Sequence, residues 1–183
     1  GIPAETHSRS SWSRRIAYLP QEPRLLRGTI SDNIRYYRDL SDEAVEHAAR
    51  SAHIHDDIIT LGRGYETVIG PRSETLSTGQ AQRICFARTL VGDPDLLVLD
   101  EPTSALDPRS EAFIQQTLQE LRGRITMFVV AHRLSMLSVC DRVMILVDGR
   151  VQEFGTPEDL TAHNWFLRQA LGLQDQLPAH HSL

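Results

Sequence analysis

The apolar residues of this chain fall into short runs separated by helix-like stretches. Ile16-Ala17-Tyr18-Leu19 is a brief apolar strand ended by Pro20, with Gln21 at its mouth. Residues 96–99, Leu-Leu-Val-Leu, are apolar at every position. That marks a strand buried on both faces, as in a parallel sheet covered by helices. The run leads straight into Asp100 and Glu101. Residues 125–131 read as a second buried strand, which delivers His132 at its end. Residues 143–147 are a third, turning through Asp148-Gly149 into 151–154, a hairpin signal.

Helical spacing fills the intervals. Residues 29–37 and 41–53 read as helices, the second with Ser41 as N-cap and Asp42 and Glu43 at the positive end of its dipole. A helix is expected from about Ser77 to Val91, stopped by Gly92-Asp93-Pro94. Asp107-Pro108 supplies N-cap and first residue of the next, whose inner face holds Phe113, Ile114, Leu118 and Leu121. Residues 61–73 look like loop, punctuated by Gly62, Gly64, Gly70 and Pro71. Short helical pieces are expected at 157–160 and 165–171, and a loose tail from Gln174. Strands alternating with helices give an α/β fold with a mostly parallel sheet. The chain has no internal repeat and no low-complexity stretch.

Composition narrows the function classes. With 183 residues, 40% of them hydrophobic, the chain is long enough for one domain with a full core. A formal charge of −5 argues against a nucleic-acid surface. All 19 basic residues are arginine, which reads as a genomic bias, and the absence of lysine means that no G-x-x-x-x-G-K-[ST] phosphate loop occurs within these residues. Cys85 and Cys140 lie in apolar contexts and read as core thiols of a reducing compartment. No apolar run approaches the roughly 20 residues that span a bilayer, and no signal peptide is seen. A first residue of Gly1 and methionines only at 127, 136 and 144 lead us to expect a fragment of a longer protein.

Ligands of open α/β sheets bind beyond the carboxyl ends of the strands, and Gln21, Asp100, Glu101 and His132 all stand just past such an end. Mg²⁺ takes oxygen ligands through one or two carboxylates and keeps several waters, which suits Asp100. Glu101, one residue on, is placed to accept a proton from an attacking water. Leu76-Ser77-Thr78-Gly79-Gln80 opens a helix whose backbone N–H groups can face an anion. Taken alone, Ser104-Ala105-Leu106-Asp107 is a loop and N-cap. The other histidines (His7, His47, His53, His55, His163, His180 and His181) lack metal-ligand spacing and read as surface residues.

Tyr18-Leu19-Pro20-Gln21-Glu22-Pro23, Leu76 to Gln80, the run 96–101, Ser104 to Asp107 and Ala131-His132-Arg133 together resemble the nucleotide-binding domain of ATP-binding cassette transporters. They stand in that family's order and cover nearly the whole chain. Residues 25–34, Leu-Leu-Arg-Gly-Thr-Ile-Ser-Asp-Asn-Ile, resemble exporter-type cassettes, and Asp141-Arg142-Val143, Gly149-Arg150-Val151 and residues 153–157 match the usual end of such a domain.

The resemblance implies a P-loop NTPase-like α/β fold: a mostly parallel sheet with helices on both faces and a helical signature subdomain over about 29–92. It implies a partial domain over 1–173 and a tail over 174–183, with the first strands and the phosphate loop expected upstream of Gly1. It implies ATP and Mg²⁺ as cofactors, Asp100 and Gln21 at the metal, Glu101 as catalytic base and His132 as the switch that holds the γ-phosphate and orients the water. Gln21 also becomes the glutamine that couples to the membrane domain. Ser77, Thr78, Gly79 and Gln80 become the signature that grips an ATP held by the opposite subunit, and Asp107 the aspartate that crosses the dimer interface. The implied partners are a second nucleotide-binding domain and a transmembrane domain, at the cytoplasmic face of a membrane.

The chain departs from the family at Thr78, where glycine is commonest, and at Pro71 and Ser73, in a segment that contacts the membrane domain. The expected function is ATP binding and hydrolysis in a head-to-tail dimer that drives export, with the 183 residues alone inactive. The alternatives are a non-transport cassette ATPase and a non-catalytic module that uses only its signature face.

Overall fold

The computed structural model describes Ser8, Trp12 and residues 15–22, 24–70, 76–104, 106–164 and 167. The chain runs β1 (Ile16–Leu19), β2 (Gly28–Thr29), α1 (Ile30–Arg35), α2 (Asp42–Ser51), α3 (His55–Thr60), a 3-10 turn (Gly64–Glu66), β3 (Val68–Ile69), α4 (Thr78–Leu90), β4 (Leu96–Asp100) and α5 (Pro108–Leu121). There follow β5 (Thr126–Val130), a 3-10 segment (Leu134–Val139), β6 (Val143–Val147), β7 (Arg150–Gly155) and α6 (Pro157–His163).

Strands β1, β4 and β5 form a parallel sheet in that order, with Leu19, Leu99 and Val129 abreast and Asp100 beside Val130. This is the α/β arrangement expected from the alternation of strands and helices. Burial within it alternates instead of being continuous. Ala17, Leu19, Leu97 and Leu99 are buried, whereas Tyr18, Phe128 and Val130 stand on the other face and are exposed. The expectation of burial at every position therefore holds for one face of 96–99, through Leu97 and Leu99, but for neither face of 125–131, where Ile125, Met127 and Val129 are only half-buried and Phe128 and Val130 are exposed. Apolar side chains on both sides of a strand make the two faces look alike in sequence.

Helix α4 is what fills the covered side. Ile84, Cys85, Phe86 and Ala87 are four consecutive residues, each at most 1% exposed, so this helix is surrounded instead of carrying a single apolar stripe. It packs against β1, α1, α2 and α5. Burying each of its large apolar side chains is worth roughly 1.5–3 kcal/mol. Burial also pushes the Cys85 thiol up to about 11, in keeping with a core residue, and neither cysteine forms a disulfide.

The elements around α4 begin where the caps indicate. Thr29 and Asp32 form a reciprocal capping box on α1, and Ser41 caps α2 through the Ala44 N–H. Helix α1 stops at Arg35, two residues short of the expected end, because Tyr36 and Tyr37 both turn left-handed at φ 48° and 62°. Helix α3 lies where no helix was expected; it has no side-chain cap and is held by Ile54 and Ile58, each 1% exposed. The loop expected over 61–73 contains the 3-10 turn and β3, which pairs antiparallel with β2. Pro71 and Ser73 lie outside the described residues. In α5, Ile114 and Leu118 are buried as expected, Phe113 and Leu121 are half-buried, and Ser110 and Thr117 complete the inner face.

The chain divides into two compact units, one ending at His132 and one beginning at Arg133. In the second, β6 and β7 form the expected hairpin, with Asp148 and Gly149 at φ 49° and 73°, the double left-handed turn that matches strand twist. Helix α6 follows, capped by Thr156 with Pro157 in its first turn. Except for the buried Leu167, the expected helix at 165–171 and the tail from Gln174 lie outside the described residues. Among those residues no helix is long and apolar enough to cross a membrane.

Candidate active site

Sheet register brings the predicted polar residues to one edge. Asp100 is the last residue of β4, opposite Val130 at the end of β5. Glu101 then leaves the strand at φ +47°, and its N–H still donates to the Val130 carbonyl at 2.8 Å. A non-glycine residue in the left-handed region is held there only when its surroundings over-determine it, and such residues cluster at functional sites. Ser104 completes the turn: its N–H and hydroxyl both donate to the Glu101 carbonyl.

The Glu101 carboxylate is the centre of the cluster. Gln21 Nε2 donates to its Oε2 at 2.8 Å, and His132 Nε2 lies 2.8 Å from its Oε1. The Glu101 side chain is 17% exposed and that of His132 78%, so the carboxylate is enclosed while the imidazole stands open to solvent. Three residues from the ends of three neighbouring strands thus meet at one carboxylate, about 80 residues of chain closing through a parallel sheet. Asp100 points its Oδ2 to a different partner, the Tyr18 hydroxyl, which donates at 3.1 Å. Desolvation of the phenol, and then this bond, raise the Tyr18 pKa above its ordinary value.

The second cluster is at the start of α4. Ser77 is its N-cap: Ser77 Oγ accepts the Gln80 N–H at 3.1 Å, and Gln80 Oε1 accepts the Ser77 N–H at 3.0 Å. This capping box takes up backbone donors that the sequence left open to an anion. The Ser77 hydroxyl proton stays available to an outside acceptor while its oxygen holds the cap. Gly79 is buried, and a Cβ added there would come within 2.7 Å of Ser110 Cβ and closer still to its hydroxyl. Glycine at this position therefore lets α4 meet the amino end of α5. Thr78 occupies the first helical position and keeps the helix intact. Asp107 caps α5, its Oδ1 accepting the N–H groups of Arg109 and Ser110 at 3.0 and 3.1 Å. Hydrogen bonding, first from the Ser110 side chain, holds its carboxyl below the usual range.

Several contributors were not legible in the sequence. Tyr18 stands on the open face of β1, in register with Val98 and Phe128, and only its place three residues before Gln21 hinted at a role. Gln82, 7% exposed, donates to the Pro102 carbonyl at 3.1 Å and so ties α4 to the turn that carries Glu101. Of the histidines taken as surface residues, His55 is 8% exposed, its Nδ1 lying 2.8 Å from the Tyr65 hydroxyl, and His53 is half-buried, stacked on Phe113. Their burial follows from α3, the helix that the sequence pattern missed. Among the described residues no three His, Cys, Asp or Glu side chains form a metal-holding group.

The parallel α/β sheet thus gathers two adjacent carboxylates, a glutamine and a histidine at its carboxyl edge, where open α/β sheets bind their ligands. The family model described as ABC transporter matches residues 1–104. The chain is 45% identical over 165 residues to the ATP-dependent lipid A-core flippase of Chromohalobacter salexigens, covering 89% of this chain and 28% of that protein. It is 44% identical over 153 residues to the mitochondrial potassium channel ATP-binding subunit of Pongo abelii, covering 82% of this chain and 21% of the relative. A solved bacterial Atm1-family ABC exporter with ATP bound superposes with a TM-score of 0.80 at 37% identity, over 90% of this chain and 29% of that one. The chain belongs to the ABC transporter family, and it spans about a quarter of the length of these relatives.

Proposed function

We propose that this chain supplies the catalytic edge and the signature of an exporter's ATP-binding domain, which binds and hydrolyses ATP in a head-to-tail dimer to move a substrate across a membrane. The observation that supports it most directly is the Glu101 carboxylate, largely enclosed and bonded at 2.8 Å by both Gln21 and His132. The donor set fits Mg²⁺ and a triphosphate. Asp100, Glu101 and Gln21 offer hard oxygens at one edge, and a site with few protein carboxylates suits Mg²⁺, which would be held mainly by Asp100 and Gln21. When bound, the metal and triphosphate supply the electrophilic phosphorus and neutralise the charge that develops on it.

Each residue then has a defined task. Asp100, whose Oδ2 accepts the Tyr18 hydroxyl, would hold the metal. Glu101 accepts the proton of the attacking water, and Gln21 and His132 fix the rotamer from which it does so. His132, open to solvent in this structure, orients the water and the terminal phosphate. The Ser77 hydroxyl, aimed outward from its cap, donates to the γ-phosphate of an ATP on the opposing domain, with the positive end of α4 behind it. Asp107 faces the same interface. The lysine of the phosphate cradle comes from outside these 183 residues, which contain none. The domain works at the cytoplasmic face of a membrane, beside transmembrane segments.

The test is Glu101→Gln in the transporter that contains this domain. It keeps shape and hydrogen bonding but removes the base. Turnover should fall by about 10²-fold or more while ATP binding by equilibrium dialysis is kept. Activity within about fivefold of wild type would remove Glu101 from this role, because a well-placed base contributes far more.

A further inference from the structure

The signature cap is oriented by a residue 20 positions before it. Asp57, in α3, has a side chain 35% exposed that bridges two residues of α4. Its Oδ1 accepts Gln80 Nε2 at 3.1 Å, and its Oδ2 accepts Arg83 Nη1 at 2.7 Å. Arg83 is 4% exposed; it also donates to the His53 carbonyl and lies 4.7 Å from the Phe113 ring centroid. The Asp57 carboxylate is thus anchored on a buried cation.

Polarity makes this contact directional. An ionised carboxylate only accepts hydrogen bonds, so it takes the amide nitrogen of Gln80 and not its oxygen. That choice turns Gln80 Oε1 back to the Ser77 N–H, at 3.0 Å, and leaves the Gln80 N–H on Ser77 Oγ. Flipping the amide would set donor against donor at Ser77 and oxygen against oxygen at Asp57. We propose that Asp57 is a positioning residue for the signature: through the amide of Gln80 it fixes the backbone and hydroxyl of Ser77 in the orientation that meets the opposing nucleotide. This rests on the reading of Ser77 given above.

The test is a polarity-swap cycle in the transporter that contains this domain. Asp57→Asn keeps an oxygen for Arg83 but turns an amide donor on Gln80. Gln80→Glu keeps an acceptor for Ser77 but sets two carboxylates together. The double variant Asp57→Asn/Gln80→Glu restores every bond with donor and acceptor exchanged. Each single variant should raise KM for ATP about fivefold, the worth of one intramolecular hydrogen bond, with kcat within about twofold. The same shift should appear in the ATP concentration that half-closes the dimer, read from spin-label distances with Glu101→Gln blocking turnover. The double variant should return both to within about twofold of wild type, a non-additive coupling that a bracing role for Arg83 does not produce. Additive or worse behaviour of the double variant overturns the assignment, and recovery supports it. Ser77→Arg separates the two readings. If it leaves turnover unchanged, the signature reading falls and this one with it. If it abolishes turnover while the cycle is additive, only the role of Asp57 falls.

Discussion

The carboxyl edge of the sheet and the amino end of α4 are built in opposite ways. At the edge, Gln21, Glu101 and His132 meet through two 2.8 Å contacts, yet the His132 side chain is 78% exposed and the sheet face beside it is open at Phe128 and Val130. At the amino end of α4, Ser77 and Gln80 cap each other, Gly79 leaves no space for a Cβ against Ser110, and Arg83 is buried behind them. Polar side chains sit on a lightly held surface in the first region and on a closely packed corner in the second. A side chain at the edge is therefore free to exchange protein partners for ligand. The capped amino end of α4 keeps a fixed shape.

That contrast is broken or confirmed most clearly by comparing His132→Ala with Gly79→Ala in the same transporter. His132→Ala should lower ATPase turnover by about 100-fold or more. As a largely exposed side chain it should change domain stability by no more than about 0.5 kcal/mol. Gly79→Ala should instead destabilise the domain by about 1–3 kcal/mol through overpacking. Adding Ser110→Gly to Gly79→Ala should recover part of that loss, because the two atoms that a Cβ meets first both belong to Ser110. Calorimetry and steady-state ATPase assays on the four proteins decide it. Equal melting of wild type and Gly79→Ala would mean that α4 and α5 are not packed as closely as described.

The same contrast explains what the sequence made legible. Strand ends could be read because an apolar run stops abruptly on a polar residue, so Gln21, Asp100, Glu101 and His132 were all located before the fold was known. The caps Ser41 and Asp107 were legible for a similar reason: each precedes a helical pattern by one residue, whereas Ser77 read as the start of its helix and not as its cap. Helix α3 was not, since His-Asp-Asp-Ile-Ile-Thr is short, polar at its start and uncapped, and is held by the burial of Ile54 and Ile58. Strands β2 and β3, two residues each, are too short to have a period. The open face of β1, β4 and β5 was misread because an apolar residue has the same appearance whether or not something covers it. Asp57 gave no signal at all: one of two adjacent aspartates, it acquires meaning only from the amide and guanidinium placed against it.

Dense packing around α4 also sustains backbone strain, which gives a smaller effect of opposite sign. Tyr36 and Tyr37 are both left-handed, and Arg88 of α4 lies 4.6 Å from the Tyr36 ring while donating to the Asn33 and Arg24 carbonyls. Tyr37 is 90% exposed and gains little from burial. A left-handed conformation costs a non-glycine residue about 1–2 kcal/mol, and glycine gives back part of that in the unfolded chain. Tyr37→Gly should therefore stabilise the domain by about 0.5–1 kcal/mol and raise its melting temperature by a few degrees. An unchanged or lower melting temperature would show that the Tyr37 side chain contributes more than its exposure suggests.

The smallest effect concerns Asp107, which links the two regions. It follows the turn that holds Glu101 and caps the helix against which Gly79 packs; a Cβ at Gly79 would lie 3.4 Å from its Oδ2. Bonds from the Ser110 side chain and then from the Ser110 and Arg109 backbone lower its pKa in the folded state. For an acid shifted downward, the stabilisation is present above the unfolded pKa, near about 3.9, and is lost as pH falls through the folded value. Asparagine caps a helix about as well as aspartate but does not titrate in this range. The melting temperature of wild type should therefore fall more steeply than that of Asp107→Asn between about pH 5 and pH 3. At neutral pH the two should differ little, because either side chain offers an oxygen to the N–H groups of Arg109 and Ser110. Parallel acid limbs would mean that the cap holds its charge no better in the folded domain than in the unfolded chain. The α4–α5 corner would then rest on the fit between Gly79 and Ser110 alone.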